Sequence, residues 1–249
     1  MKVGKVYLVG AGPGAPDLIT VKGLDCLKQA DIVVYDRLVD ESILNKARPG
    51  AEKVYVGKEA SHHTLEQDII NQLLIQKARE GKMVVRLKGG DPFVLGRGGE
   101  EAKSLAEHSI PFEIVPGVSS AVAVPAYAGI PVTHRGIASS FTVVTGHKAS
   151  ETGESRIDWD KLAQGADTLV ILMGIGNLAN LVGELIKNNK APSTPVAVIT
   201  EGTTSRQRFV IGTLQDIVEK VKLENLKPPS VVVIGDVVQL QETLHWFDK

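Results

Sequence analysis

Short apolar runs alternate with stretches of helical spacing through the first half of the chain. Residues 3–9, 32–35, 54–56, 83–87 and 112–115 are each short, rich in branched side chains and bounded by glycine, proline or charge, which predicts five strands. Between them, residues 18–29, 65–80 and 100–107 carry the spacing of amphipathic helices. Thr64 with Gln67 forms a capping-box pattern, and Gly81 stands where a glycine commonly ends a helix. Strand-helix alternation of this kind predicts a mostly parallel sheet. After Pro116-Gly117, the small-residue stretch VSSAVAVPAYAGIP leads to a second set of strands at 141–145, 168–173, 195–200, 209–212 and 231–234. Only residues 201–208 separate the third and fourth of these. That leaves no room for a crossover helix, so the second sheet is expected to be mixed. The predicted architecture is α/β, with an N-terminal domain over 1–117, a C-terminal domain over 118–249 and a cleft between them. The polar segment 149–158 reads as a loop, either a lid or a solvated connection.

Composition changes this picture little but excludes several classes. With 249 residues, 43% hydrophobic and 23% charged, the chain is that of a globular protein with a real core. No apolar run reaches membrane-spanning length, and the start MKVGKVYLVG lacks the apolar stretch of a signal peptide, so a cytoplasmic protein with no membrane partner is expected. A formal net charge of -1 supplies no general attraction for nucleic acid, and any anion site must be local. The single Cys26, in the helical pattern LDCLKQA, rules out a disulfide within the chain and reads as a small core side chain. His62-His63 reads as exposed before a helix cap. No Cys/His spacing suggests a metal.

Two glycine loops carry the candidate chemistry. LKGGDPFVLGRGGEE, at 87–101, holds five glycines, an acid that reads as buried and an arginine directly after a strand. Glycine that dense lets backbone come within van der Waals reach of a ligand, and the strand delivers it to the carboxyl edge of a sheet, where open α/β folds bind small molecules. GAGPGAPDLIT, at 10–20, follows the first strand in the same way. Gly10, Gly12 and Ala15 satisfy the dinucleotide spacing G-x-G-x-x-G/A, with Asp31 or Asp36 further on. Three readings stand: a dinucleotide loop, a tight strand-to-helix turn without a ligand, or a loop for another nucleoside ligand. Pro13 and Pro16 remove two backbone N–H groups, which argues against a phosphate site.

Taken in order, GAGPGAPDLIT, VVYDRLV at 33–39, VGK at 56–58, RLKGGDPFVLGRGGEE from Arg86, VPGVSSA at 115–121, GIPVTHR at 129–135 and Met173-Gly174 resemble the motifs of the tetrapyrrole methylases over nearly the whole chain. Within that family they are most similar to members that methylate uroporphyrinogen III at carbon. The resemblance implies methyl transfer from two S-adenosylmethionine molecules to C2 and C7, giving precorrin-2 for sirohaem and cobalamin, by a homodimer whose active site lies between its two domains. It implies cofactor contacts at Pro13, Gly89, Gly90, Asp91, Val94, Ser119, Ser120, Met173 and Gly202. Ala15 departs from the acid common at that position, and Ser119-Ser120 from a frequent Thr-Ala. Neither change removes a group that the chemistry requires.

The resemblance also implies a proton acceptor at Asp36 and a proton donor at Lys58. The bland reading of that pair is an ion pair holding two strand ends together. A macrocycle with eight carboxylates needs cations, and arginine suits carboxylates best. Arg37, Arg97, His134 and Arg135, with Arg206 and Arg208, lie on or beside the loop motifs. For any one of these arginines the ordinary reading is a surface salt bridge. The rival functions are a tetrapyrrole methylase acting at another ring position, an NAD-dependent oxidoreductase and a non-catalytic tetrapyrrole-binding protein.

Overall fold

The computed structural model describes residues 2–57, 67–146 and 157–247. The chain divides into two compact units, Met1–Ser119 and Ser120–Lys249.

The first unit is built on five parallel strands, β1 (Val6–Gly10), β2 (Ile32–Tyr35), β3 (Glu52–Tyr55), β4 (Val84–Lys88) and β5 (Phe112–Val115), in the order β3-β2-β4-β1-β5. Parallel neighbours require crossovers, and these put α1 (Val21–Gln29) and α2 (Glu41–Leu44) on one face, with α3 (Gln67–Arg79) and α4 (Gly98–Glu107) on the other. Alternation along each strand sorts the side chains. Val6, Leu8, Ile32, Val34 and Val84 pack with Leu74, Ile75 and Leu105, while Val9, Val33, Val85 and Leu87 pack with Cys26, Leu27 and Ile43. Cys26 is thus the core side chain expected, and burial pushes its thiol up.

The second unit holds β6 (Phe141–Thr145), β7 (Thr168–Leu172), β8 (Pro195–Thr200), β9 (Arg208–Thr213) and β10 (Ser230–Ile234), in the order β6-β7-β10-β8-β9. Only β6 and β7 pair in parallel; β10 runs antiparallel to both β7 and β8, and β9 antiparallel to β8. The short β8–β9 connection therefore does make the sheet mixed. Helices α6 (Trp159–Gly165), α7 (Leu178–Lys187) and α8 (Ile217–Leu223) cover one face; α5 (Ser120–Tyr127) and a 3-10 turn at Asp236–Leu240 cover the other, and α9 (Gln241–Leu244) closes the described chain.

Several boundaries differ from expectation for local reasons. The first strand starts at Val6 rather than residue 3, because the Gly4 N–H donates to the Ala78 carbonyl at the end of α3. The helix expected from residue 18 begins at Val21, where the Thr20 hydroxyl caps the Gly23 N–H; before it Pro16–Leu18 form a 3-10 turn. The small-residue stretch after Pro116-Gly117 is helix α5 despite Pro125, whose carbonyl accepts from Ala128 and Ile130 as the helix ends. Gly81 does terminate α3, with its N–H on the Ala78 carbonyl. Thr64, His62 and His63 lie outside the described residues, as do residues 149–156 of the 149–158 loop.

Candidate active site

All five strands of the first unit point the same way, so the loops after them share its carboxyl edge. Two are stitched together. Ala11 donates to the Lys88 carbonyl at 2.7 Å, Gly12 to Gly90 at 3.2 Å, and Gly90 back to Gly12 at 2.6 Å. A Cβ on Gly10 would sit 2.6 Å from the Gly90 oxygen, and one on Gly117 only 2.4 Å from it. Three loop backbones cross at this point, so part of the glycine density serves backbone packing rather than ligand approach. The same bonds bear on the dinucleotide reading. With the N–H groups of Ala11 and Gly12 donated to the β4 loop and none on Pro13, this stretch is no phosphate cradle.

Asp91 fastens the crossing, its carboxylate accepting from Phe93 N–H at 2.8 Å and Gly117 N–H at 3.0 Å. Two accepted bonds leave a carboxylate further acceptor capacity. Asp91 is half-buried; the fully buried acid of the motif is Glu101. Gly89 lies against the Leu38 side chain, and Phe93, Val94 and Leu95 are exposed at the loop tip. Pro13 and Ser119 are partly exposed on the β1 and β5 loops, and Ser120 opens α5.

Asp36 and Arg37, just past β2, line a cavity of about 510 Å³ with Tyr35, Lys53 and Tyr55. The lining thus holds two carboxylates, Asp36 and Glu41, and two cations, Arg37 just past β2 and Lys53 within β3. Asp36 accepts the Leu38 N–H on Oδ1 at 3.1 Å, and its Oδ2 lies 3.4 Å from Arg86 Nη2. Lys58 is outside the described residues; its neighbour Gly57 packs on the Arg37 backbone. Arg97 forms a two-pronged ion pair with Glu100, at 3.0 and 2.8 Å, that holds the Glu100 carboxyl below the usual range. Below this edge lies a group the motif reading missed. Arg86, Lys88 and Glu101 are all buried, and Glu101 Oε1 accepts from Arg86 Nε (3.1 Å), Lys88 Nζ (3.0 Å) and Gln67 Nε2 (3.2 Å). The signal was there. Two cations two residues apart in a strand buried on both faces share one face and require an anion.

In the second unit, Leu172 and Ile199 both flank Val231, so Met173 and the 201–203 turn leave the same edge of the sheet, roughly 10 Å apart at two strand spacings. Met173 is half-exposed, and a Cβ on the buried Gly202 would lie 2.5 Å from Val124 of α5. His134 and Arg135 sit on an exposed turn closed by paired hydrogen bonds between His134 and Ala138. Arg206 and Arg208 pair with Glu201 and Glu224, both at 2.9 Å, in the ordinary role for surface arginines.

Backbone strain marks these loops. Of the eight non-glycine residues with positive φ among the described residues, Ser109, Asn189 and Asn225 follow helix ends, where that conformation is usual. The other five, Leu95, Arg97, Met173, Glu201 and Thr203, all lie on loops that follow strand carboxyl ends and hold the candidate residues. Strain of this kind concentrates at ligand sites.

This architecture and these loops have known counterparts. The family model for tetrapyrrole (corrin/porphyrin) methylases matches residues 5–218, and the chain belongs to that family. A uroporphyrinogen-III C-methyltransferase of Methanocaldococcus jannaschii is 59% identical over 241 residues, spanning 96% of this chain and 99% of its own. The crystal structure of a Thermus thermophilus uroporphyrin-III C-methyl transferase complexed with S-adenyl homocysteine is 44% identical, with a TM-score of 0.82 over 95% of this chain and all of that one. A cobalt precorrin-4 methyltransferase reaches a TM-score of 0.83 at 30% identity, covering 94% of this chain and 95% of its own. Shape alone does not separate these activities; sequence does.

Proposed function

We propose that this protein transfers methyl groups from S-adenosylmethionine to C2 and C7 of uroporphyrinogen III, yielding precorrin-2 for sirohaem and cobalamin. Family membership sets the reaction class, and the observation that carries the site assignment is Asp36, just past the carboxyl end of β2, lining one cavity with Arg37 and Lys53. S-adenosylmethionine supplies an electrophilic methyl on a cationic sulfonium and carries no phosphate. Loops with strained backbone, a half-exposed Met173 and a carboxylate at Asp91 suit that ligand, whereas the tied-down Ala11–Pro13 stretch does not suit a pyrophosphate. Pro13, Gly89, Gly90, Asp91, Val94, Ser119, Ser120, Met173 and Gly202 are the proposed contacts.

Arg37 and Lys53 attract the carboxylate arms of the macrocycle, and Arg97, His134 and Arg135 take further arms. In-line transfer to a ring carbon is mainly a matter of positioning. The ring must then lose a proton, and Asp36 takes it on a carboxylate oxygen; Lys58 is the proposed proton donor. The working protein is proposed to be a cytoplasmic homodimer. Mixing it with S-adenosylmethionine and freshly reduced uroporphyrinogen III should add one and then two methyl masses to the macrocycle. Methylation only of an already methylated precorrin would move the activity to another ring position, and no mass change would leave a tetrapyrrole-binding protein.

A further inference from the structure

Buried charges are expensive, and an ion pair in a protein interior often contributes no more stability than apolar side chains of the same volume. The first unit nevertheless buries Arg86, Lys88 and Glu101 beneath its carboxyl edge. Arg86 and Lys88 share with Val84 the face of the central strand β4 that α3 and α4 cover, and Glu101 projects from α4. With Asp36 included, two basic side chains face two acidic ones, and burial, with Arg86 beside it, pushes the Lys88 ammonium's pKa down.

The arrangement around the Arg86 guanidinium is directional. Nε donates to Glu101 Oε1, and Nη1 to the carbonyls of Leu87 at 3.2 Å and Val34 at 3.4 Å. Three fixed partners orient the planar fork, and its remaining nitrogen, Nη2, faces Asp36 Oδ2 at 3.4 Å. That spacing exceeds the 2.7–2.9 Å usual for a charge-assisted bond. Oδ2 thus accepts one long bond that steers the carboxylate and leaves it further acceptor capacity, while the Leu38 N–H holds the other oxygen. A tight two-pronged pair, like that of Arg97 with Glu100, would mask the same group.

We infer that Arg86, locked by Glu101, is a positioning residue that aims the Asp36 carboxylate at the substrate, and that the buried cluster exists to hold this one contact. The inference rests on the reading of Asp36 as proton acceptor. A double-mutant cycle tests both and separates them. Arg86→Lys retains a cation for Glu101 but loses the fork; Arg86→Gln/Glu101→Gln/Lys88→Met removes the three buried charges together. Each is measured alone and with Asp36→Asn, for kcat, macrocycle KM and S-adenosylhomocysteine affinity. Misplacing a catalytic group costs on the order of 100-fold, so kcat should fall about 10- to 100-fold with KM and S-adenosylhomocysteine affinity unchanged. In the Asp36→Asn background the same changes should cost less than about threefold, because residues acting as a unit are not additive. Losses that multiply with that of Asp36→Asn, activity within threefold of the parent, or loss of the fold in both variants would overturn the inference and leave Asp36 as base. If Asp36→Asn itself remains within threefold of the parent, the reading beneath it fails instead.

Discussion

The two units present their candidate residues in different ways. In the first, buried charge lies under the carboxyl edge: Arg86, Lys88 and Glu101 are all below 5% exposed, and Asp36, which Arg86 reaches, lines a cavity with Arg37. In the second, the buried polar side chains among the described residues are threonines and Gln241, and three strained positions, Met173, Glu201 and Thr203, mark the edge against two, Leu95 and Arg97, in the first. The difference follows from topology. Every strand of the first sheet delivers its following loop to one edge, so the side chains of β4, the α4 acid and the β2 loop converge there. The mixed second sheet sends only some of its strand ends to the edge that carries Met173 and Glu201.

The sharpest way to break this comparison is at Asp36. Asp36→Asn keeps the shape and removes the proposed base, so kcat should drop by about 100- to 10,000-fold while S-adenosylhomocysteine binding, followed by calorimetry, stays intact. Activity within threefold of the parent at saturating substrate would reduce Asp36 to a strand-end ion pair.

Arginine truncations come next in size. Arg37→Ala removes a cavity-lining cation and should raise the macrocycle KM about 10- to 100-fold, the worth of a hydrogen bond to a charged group. Arg97→Ala should raise it only about threefold, because Arg97 is more than half exposed and already paired with Glu100. Steady-state kinetics that reverse this order would move the substrate's arms away from the cavity. Equal losses for macrocycle and cofactor, with a lower Tm, would show these arginines to be structural.

Glycine changes probe the backbone side. Gly90 has φ +66°, and a Cβ at Gly202 would collide with Val124, so Gly90→Val and Gly202→Val should each cost about 1–3 kcal/mol of stability from strain or overpacking. Both should lower S-adenosylhomocysteine affinity tenfold or more while far-UV circular dichroism remains near that of the parent. NAD should not bind the parent at all. NAD binding that a change at Gly12 abolishes, without any response to S-adenosylhomocysteine, would restore the dinucleotide reading.

The smallest effect belongs to a surface cluster remote from this chemistry. Lys22 and Lys5 hold the Glu113 carboxyl down at about 2, from an ordinary 4.5. A lowered folded-state value stabilises the protein at pH above 4.5, and that contribution is lost as pH falls from 4.5 through 2. Thermal unfolding followed across this window should show a shallower decline for Glu113→Gln than for the parent. Parallel curves would mean that the two lysines leave the carboxyl unperturbed.

The local pattern by itself determined much of this protein. Strands β2, β5, β6 and β8 fall at their expected bounds; strand-helix alternation foretold the parallel first sheet, and the short 201–208 connection the mixed second one. Branched apolar runs bounded by glycine and proline have few other ways to fold. The helices of the second half were not among the expected elements, although Leu178, Leu181, Val182 and Leu185 recur on one face of α7 at helical spacing. What only the tertiary structure decided was the partner of each polar group. Asp91, expected to face a ligand, also clamps Gly117 across the β4 and β5 loops; Arg206 and Arg208 close on glutamates; and Glu101, one acid among two in GRGGEE, becomes the anchor of Arg86. Periodicity is local and survives in one dimension. Which charge meets which depends on chain segments far apart in sequence arriving at one sheet edge, and that is settled only when the strands have paired.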